Sequence, residues 1–382
     1  MGYFQIYRKE MKILLIGEYS NVHATLAEGL RVLGHKVVVA SNGDFWKDYP
    51  RDIDLNRKPG KIGGICLWTK AMLNLKRFSG FDIVQIINPM FLELKADRLF
   101  FFFNYLRTHN KKIVMGAFGM DYYWVHENIA HCMLRYSDFN IGNELRTDKT
   151  ATQYKEEWLG TDKERLNRLC AEKADAIIAG LYEYAVCYNN VFPEKTTFIP
   201  MPIIPKHFSS EGLEKLKTCK QRITIFVGIS KNRSEYKGTD VMLAAAKAVA
   251  TKYPDRVKLK IAEGVPFTKY KKMIQEADVI LDQLYSYTPA MNALEAMNLG
   301  VVCVGGGEPE NYEILGEREL RPIINVEPNY ESVYKALTDM VENMNAIPNL
   351  KIQGVEYIAR HHDYIKVARK YETLYSNLLR NP

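Results

Sequence analysis

Between Tyr285 and Glu310 the chain reads Y-S-Y-T-P-A-M-N-A-L-E-A-M-N-L-G-V-V-C-V-G-G-G-E-P-E, a run that leaves little freedom of fold. Pro289 suits the first turn of a helix, where its missing N–H costs nothing. Ala290, Ala293, Leu294 and Met297 repeat at helical spacing, and Gly300 stands where a helix end favours a residue that accepts positive φ. Val301 to Val304 is an unbroken apolar run, which predicts a strand buried on both faces of a parallel sheet. Gly305, Gly306 and Gly307 then predict a turn whose backbone can approach a ligand with no Cβ between. A helix starting at Pro289 offers free N–H groups at Met291, Asn292 and Ala293 and a positive dipole end, a seat for phosphate. Glu295 lies about a turn and a half inside it.

Strand and helix alternate through the rest of the chain, which predicts two α/β domains with mostly parallel sheets. Lys12–Gly17 is a strand, Asn21–Leu33 a helix and Lys36–Ala40 the next strand. Gly17 opens the turn G-E-Y-S-N at the strand's carboxyl edge, where open α/β sheets place ligands. Further strands are expected at Asp82–Ile87, Lys112–Ala117, Asp175–Ala179 and Thr196–Pro200, with helices near Gly63–Phe78 and Phe91–His109. The run P-M-P-I-I-P (Pro200 to Pro205) marks the crossing between an N-terminal domain, 1–205, and a C-terminal one, 206–361. The second restarts with the strand Ile223–Val227 and continues through Val257–Ala262, Asp278–Leu284 and Ile323–Val326. A closing helix, 362–382, is expected to cross back to the first domain. Asp52 and Asp54 read as solvated loop acids, and His361-His362-Asp363 as a solvated helix face.

At 382 residues, 47% hydrophobic and 25% charged, the chain has the composition of a globular protein of two domains. The net charge of +7 is uneven: Met1 to Lys112 holds eighteen Lys and Arg against ten Asp and Glu, and the remainder is close to neutral. Such a basic first domain suits an anionic acceptor or an acidic membrane surface, or is simply a solvated face. No compact basic–aromatic motif points to nucleic acid. Six scattered cysteines without a C-x-x-C pair are expected to be reduced thiols in a cytoplasmic protein, peripheral at most to the inner face of a membrane. No apolar run is long enough to span a bilayer, and Phe100 to Phe103 reads as part of a buried helix.

The run L-E-A-M-N-L-G, V-V-C-V and G-G-G-E-P-E resembles the nucleotide-sugar site of the retaining GT-B glycosyltransferases. These include many bacterial enzymes of polysaccharide and lipopolysaccharide biosynthesis. The resemblance implies two Rossmann-like domains facing each other across a cleft, with the C-terminal sheet shortened because one strand and helix pair is missing after Val257–Ala262. It implies transfer of a sugar from a UDP- or GDP-linked donor to a glycan or lipid-linked acceptor, with retention and without a metal or other cofactor. Glu295 falls on the Glu that binds the donor ribose, and Glu263, Gly264 and Val265 lie where the base is held. The Lys-Gly pair that clamps the diphosphate matches Lys237-Gly238, and Arg233 or Lys231 corresponds to its arginine.

Two positions depart from the pattern. Tyr287 replaces the first, sugar-holding Glu, and Phe118 replaces the His of H-G-x-D, while Gly119 and Asp121 match. Both changes put aromatic rings at sugar-facing positions and suggest a less polar donor sugar. Asp121 either orients an acceptor hydroxyl or caps the next helix. The alternatives to transfer are epimerisation of the nucleotide sugar and a non-catalytic subunit that has kept the nucleotide pocket.

Overall fold

The computed structural model of the chain describes residues 10–229 and 234–380. The first half runs β1 (Lys12–Ile16), α1 (Val22–Val32), β2 (Lys36–Ser41), β3 (Ile53–Asp54), α2 (Gly60–Leu73), β4 (Ile83–Ile86), α3 (Ala96–His109) and β5 (Lys112–Ala117). It continues with α4 (Tyr122–Ala130), the short hairpin β6 (Asn140–Ile141) and β7 (Glu144–Leu145), α5 (Lys149–Trp158), α6 (Asp162–Lys173), β8 (Ala176–Ala179), α7 (Tyr182–Val191) and β9 (Thr196–Phe198). The second half runs α8 (Ser210–Lys217), β10 (Ile223–Ile229), α9 (Ser234–Lys237), α10 (Thr239–Lys252), β11 (Val257–Glu263), α11 (Phe267–Gln275) and β12 (Val279–Leu281). It closes with α12 (Met291–Asn298), β13 (Val302–Gly305), α13 (Pro309–Leu315), β14 (Ile323–Asn325), α14 (Tyr330–Glu342), α15 (Ile347–Tyr357) and α16 (Tyr364–Arg380).

Two sheets organise these elements, in the orders β3-β2-β1-β4-β5-β8-β9 and β11-β10-β12-β13-β14. Their central pairs are parallel, with Leu14 level with Val38 on one side and Val84 on the other. Ile13 to Ile16 are at most 1% exposed, as both faces of a parallel sheet require. Each such side chain contributes about 1.5–3 kcal/mol by leaving water. The second sheet has its own core, where Ile225, Val227, Val279, Leu281, Val302 and Val304 meet Met242, Val249 and Leu337 from the covering helices.

Contacts divide the chain into two compact units. One comprises Met1–Gly119, Leu166–Ile178 and Tyr364–Pro382; the other comprises Met120–Arg165 and Ala179–Asp363. In the first, α16 lies on α1, where a Cβ at Gly29 would stand 2.8 Å from that of Ala368. A buried polar chain fastens this packing. Tyr375 donates to Gln85 Oε1 at 2.7 Å, and Gln85 Nε2 lies 3.0 Å from His23 Nε2. His23 Nδ1 lies 2.9 Å from the Gly17 carbonyl. A carbonyl only accepts, so the His23 proton sits on Nδ1 and the Gln85 amide donates to Nε2.

The expected crossing at residues 205 and 206 falls inside the second unit. The Met201 carbonyl accepts from His362 Nδ1 at 2.9 Å, and Ile203 N–H donates to the His362 carbonyl at 2.7 Å. Asn298 brackets the end of the run, donating to Ile204 O at 3.0 Å and accepting Lys206 N–H at 2.9 Å. A proline-rich segment looks like a linker in sequence; here its Met201 and Ile204 carbonyls are bound.

Candidate functional site

The candidate site in the second unit starts where β12 ends, at Asp282, which is 9% exposed. Its carboxyl accepts the Ala290 N–H and, at 3.5 Å, the Asn292 side-chain amide. Burial holds its pKa above the usual carboxylate range, against the nearby Lys237 ammonium. The bond to Ala290 keeps that residue extended, at φ −80° and ψ 176°, so the helix starts at Met291. Pro289 therefore stands outside the helix, not in its first turn. The N–H groups of Met291, Asn292 and Ala293 are left without an acceptor inside α12.

Asn292 and Glu295, three residues apart, share a face of α12, and both are half-buried. Tyr270 from α11 donates to Asn292 Oδ1 at 3.1 Å. Burial and the charges of Asp282 and Glu295 push its phenol up to about 12. Lys237 ends α9, and Gly238, at φ +69°, turns the chain into α10. A Cβ at Gly238 would lie 2.5 Å from that of Leu284, so the Lys-Gly pair is fixed by packing as well as by φ. Lys231 and Arg233 lie outside the described residues. Glu263 and Gly264 are exposed at the end of β11, and Val265 is half-buried. Asp282 and Tyr270 escaped the sequence reading, although the position of Asp282 just after Val279-Ile280-Leu281 was a usable signal.

Tyr287 does not face an open pocket: it is 1% exposed. Its hydroxyl accepts the Arg135 N–H at 2.8 Å, the Arg135 guanidinium lies 4.8 Å from its ring, and Tyr136 packs at 4.8 Å. Arg135 also donates to Glu308 at 2.7 Å and pairs with Glu310. The loop below is gripped by Glu183, whose Oε1 accepts the N–H of Tyr287 at 2.8 Å and of Thr288 at 3.0 Å. The Ser286 and Thr288 hydroxyls donate to the same carboxyl at 3.0 and 2.6 Å. Nothing in the sequence marks Glu183 or Arg135 for these roles.

The glycine run packs against this loop. A Cβ at Gly306 would come within 2.2 Å of the Ser286 carbonyl, and one at Gly307 within 2.8 Å of Ile323. The close approach predicted for a ligand is thus made by the protein's own backbone.

Asp121 is fully buried and caps α4: Oδ1 accepts Trp124 N–H at 2.9 Å and Oδ2 accepts the Tyr188 hydroxyl at 2.8 Å. Burial pushes its pKa up to about 7. Of the two roles open to it, capping is the one the structure contains. In the first unit, Phe118 is 6% exposed and meets His23 edge-on at 6.4 Å, while Gly119 lies against the Tyr19 ring. With Phe118 and Tyr287 both buried, the inference of a less polar donor sugar loses its footing. Gly17 follows β1 beside a small depression that Tyr19, Asn42 and Met90 help to line. The α1 amides there are taken by Glu18, which accepts from Ala24 at 2.8 Å and His23 at 3.3 Å.

Among the described residues, His126, Glu127 and His131 bring three potential metal donors within 4.8 Å of one another. Glu127 already accepts from His126 at 2.8 Å and Asn190 at 2.7 Å. Asp52 and Asp54 are exposed, as expected, with Asp54 paired to Arg51 and Lys70, whereas His361 lies 2.6 Å from Glu317 and His362 is buried, so the solvated reading of that second motif gives way.

No protein-family profile matches the chain, and no curated protein matches it. Solved structures do match in fold. HepE from Anabaena, in complex with UDP and glucose, is 13% identical with a TM-score of 0.59, over 96% of this chain and 100% of that one. Sucrose-phosphate synthase from Thermosynechococcus elongatus is 14% identical with a TM-score of 0.61, over 98% and 100%. The UDP-GlcNAc 2-epimerase of Neisseria meningitidis, bound to UDP-GlcNAc, is 13% identical with a TM-score of 0.54, over 97% and 100%. The chain has the GT-B fold, with parallel sheets of seven and five strands in two domains.

Proposed function

We propose that this chain transfers a sugar, with retention and without a metal, from a nucleotide-diphosphate donor to a glycan or lipid-linked acceptor. The observation that carries the reading is the mouth of α12, where amides with no acceptor inside the helix, the half-buried Glu295 and the Lys237 ammonium gather at one sheet edge. Helix amides and Lys237 suit the diphosphate, and Glu295 suits the ribose hydroxyls. UDP or a UDP-sugar in HepE and in the Neisseria epimerase supports a nucleotide-sugar ligand on this fold. In the transfer, the bond from the anomeric carbon to the β-phosphate oxygen breaks and the acceptor oxygen bonds that carbon. The acceptor's proton passes to the departing phosphate, whose charge the cations stabilise.

A panel of UDP- and GDP-sugars, assayed with and without added acceptors, tests this. Free nucleotide released only with acceptor supports transfer; conversion of the nucleotide sugar to its epimer without acceptor contradicts it. The burial of Tyr287 favours one second reading, a nucleotide-sugar-binding subunit without turnover. Tight nucleotide binding with no product under any pairing would establish that instead.

A further inference from the structure

The first unit carries an exposed apolar stripe that its own core does not use. On α2, Gly63, Leu67 and Ala71 are buried, while Ile62, Ile65 and Leu73 on the opposite side are 77%, 65% and 80% exposed. Positions 62, 65 and 73 fall on one line along the helix at 3.6 residues per turn, and the exposed Cys66 and Thr69 lie between them. Folding usually hides such side chains, and three on one line form a surface rather than scatter.

The charge that this segment itself carries is of one sign. From Leu55 to Phe81 there is no Asp or Glu, but there are six cations: Arg57, Lys58, Lys61, Lys70, Lys76 and Arg77. All but Lys70 are exposed; Lys70 pairs with Asp54. This segment therefore supplies most of the excess charge of the first 112 residues. A second copy of the chain is a poor occupant, since stacking the face on itself would set five exposed cations against five. An anionic lipid surface fits both features: aliphatic tips enter the acyl boundary while ammonium groups meet phosphates.

We infer that α2 is a membrane-docking helix that seats the first unit on anionic bilayers. It lies flat on the surface, for among the described residues no helix is long and apolar enough to span one. The inference does not rest on the proposed transfer, and it is tested without nucleotide.

Flotation of the full chain with vesicles of phosphatidylcholine alone, or mixed with phosphatidylglycerol, tests it. The protein should float with the mixed vesicles and not with the neutral ones, and salt should release it. Replacing Ile62, Ile65 and Leu73 together by Ser should weaken binding about tenfold or more, because that apolar area no longer leaves water. Lys58→Gln, Lys61→Gln and Lys76→Gln together should do likewise by removing charge. Val32→Ser, at an exposed apolar site on α1, should leave binding intact and so report correct folding. Equal flotation with neutral vesicles, or unchanged binding by the triple Ser variant, would overturn the inference. So would a change in self-association of the lipid-free triple Ser variant, which would mark the face as a contact between copies. Loss in that variant of binding to poly-glutamate as tight as to lipid would mark an acidic protein partner instead.

Discussion

Glu183 holds Thr288 from two sides: Oε1 accepts its backbone N–H at 3.0 Å and Oε2 its hydroxyl at 2.6 Å. The two residues are 105 positions apart, and their bond ties α7 to the loop that enters α12. A carboxylate here does what a phosphate does at other helix mouths, collecting neighbouring N–H groups. The α12 amides used for the proposed diphosphate site lie three to five residues further on, so Glu183 sets the position of the loop that leads to them.

Glu183→Ala should leave the buried N–H groups of Tyr287 and Thr288 unpaired and cost roughly 2–4 kcal/mol of stability. Urea unfolding measures this directly. Glu183→Gln keeps an accepting oxygen and should lose less. If the Ala variant unfolds with the wild-type midpoint and slope, the loop is held by something else.

Placing at 287 the Glu of the GT-B glycosyltransferase pattern that the sequence resembles should harm this chain. Glu183, Glu308 and Glu310 already crowd the position, and the lost ring packs against Tyr136 and Arg135. Tyr287→Glu should cost about 3 kcal/mol or more, through ring loss and a buried charge. A melting curve tests it; an unchanged or higher melting temperature, with better turnover, would show that the Arg135 cluster is dispensable.

His23 and Glu18 should shape stability against pH in opposite directions. Burial lowers the His23 pKa from 6.5 to about 3, so below pH 6.5 the unfolded chain binds a proton that the folded one refuses. Stability from this residue is complete above pH 6.5 and is lost as pH falls toward 3. Burial raises Glu18 from 4.5 to about 8, so the folded chain keeps a proton that the unfolded one releases, and stability falls between pH 4.5 and 8. Each limb has a limiting slope of about 1.4 kcal/mol per pH unit. Denaturant unfolding across this range should show the acid limb flattened in His23→Gln and the alkaline limb flattened in Glu18→Gln. Two variants that keep both limbs would contradict the assignment.

How much of this was legible in the sequence depends on the range of the signal. Apolar runs placed strands well: Lys112–Ala117 is met to the residue, and Val301 to Val304 differs from β13 by one position. Gly300 ends α12 at φ +75°, as its place in the pattern requires. Helix starts were poorer, because they depend on partners far along the chain. Pro289 looked like a first-turn residue, yet Asp282 fixes the start at Met291. The helix expected from Phe91 begins at Ala96. Glu183, Arg135 and Tyr136 were invisible, since no local spacing announces a bond across more than a hundred residues. The positions of Glu295 on α12 and of Lys237-Gly238 at the entrance to α10 were legible because each rests on a short local motif.

In the proposed function, Glu295 and the first amides of α12 hold a nucleoside diphosphate. Calorimetric titration of UDP and of GDP into the wild-type chain and Glu295→Ala tests it most directly. Loss of a charged hydrogen-bond acceptor should weaken binding of the preferred nucleotide by about 1.5–3 kcal/mol, while the half-buried position leaves the melting temperature nearly unchanged. Wild-type affinity retained by a properly folded Glu295→Ala chain would contradict it.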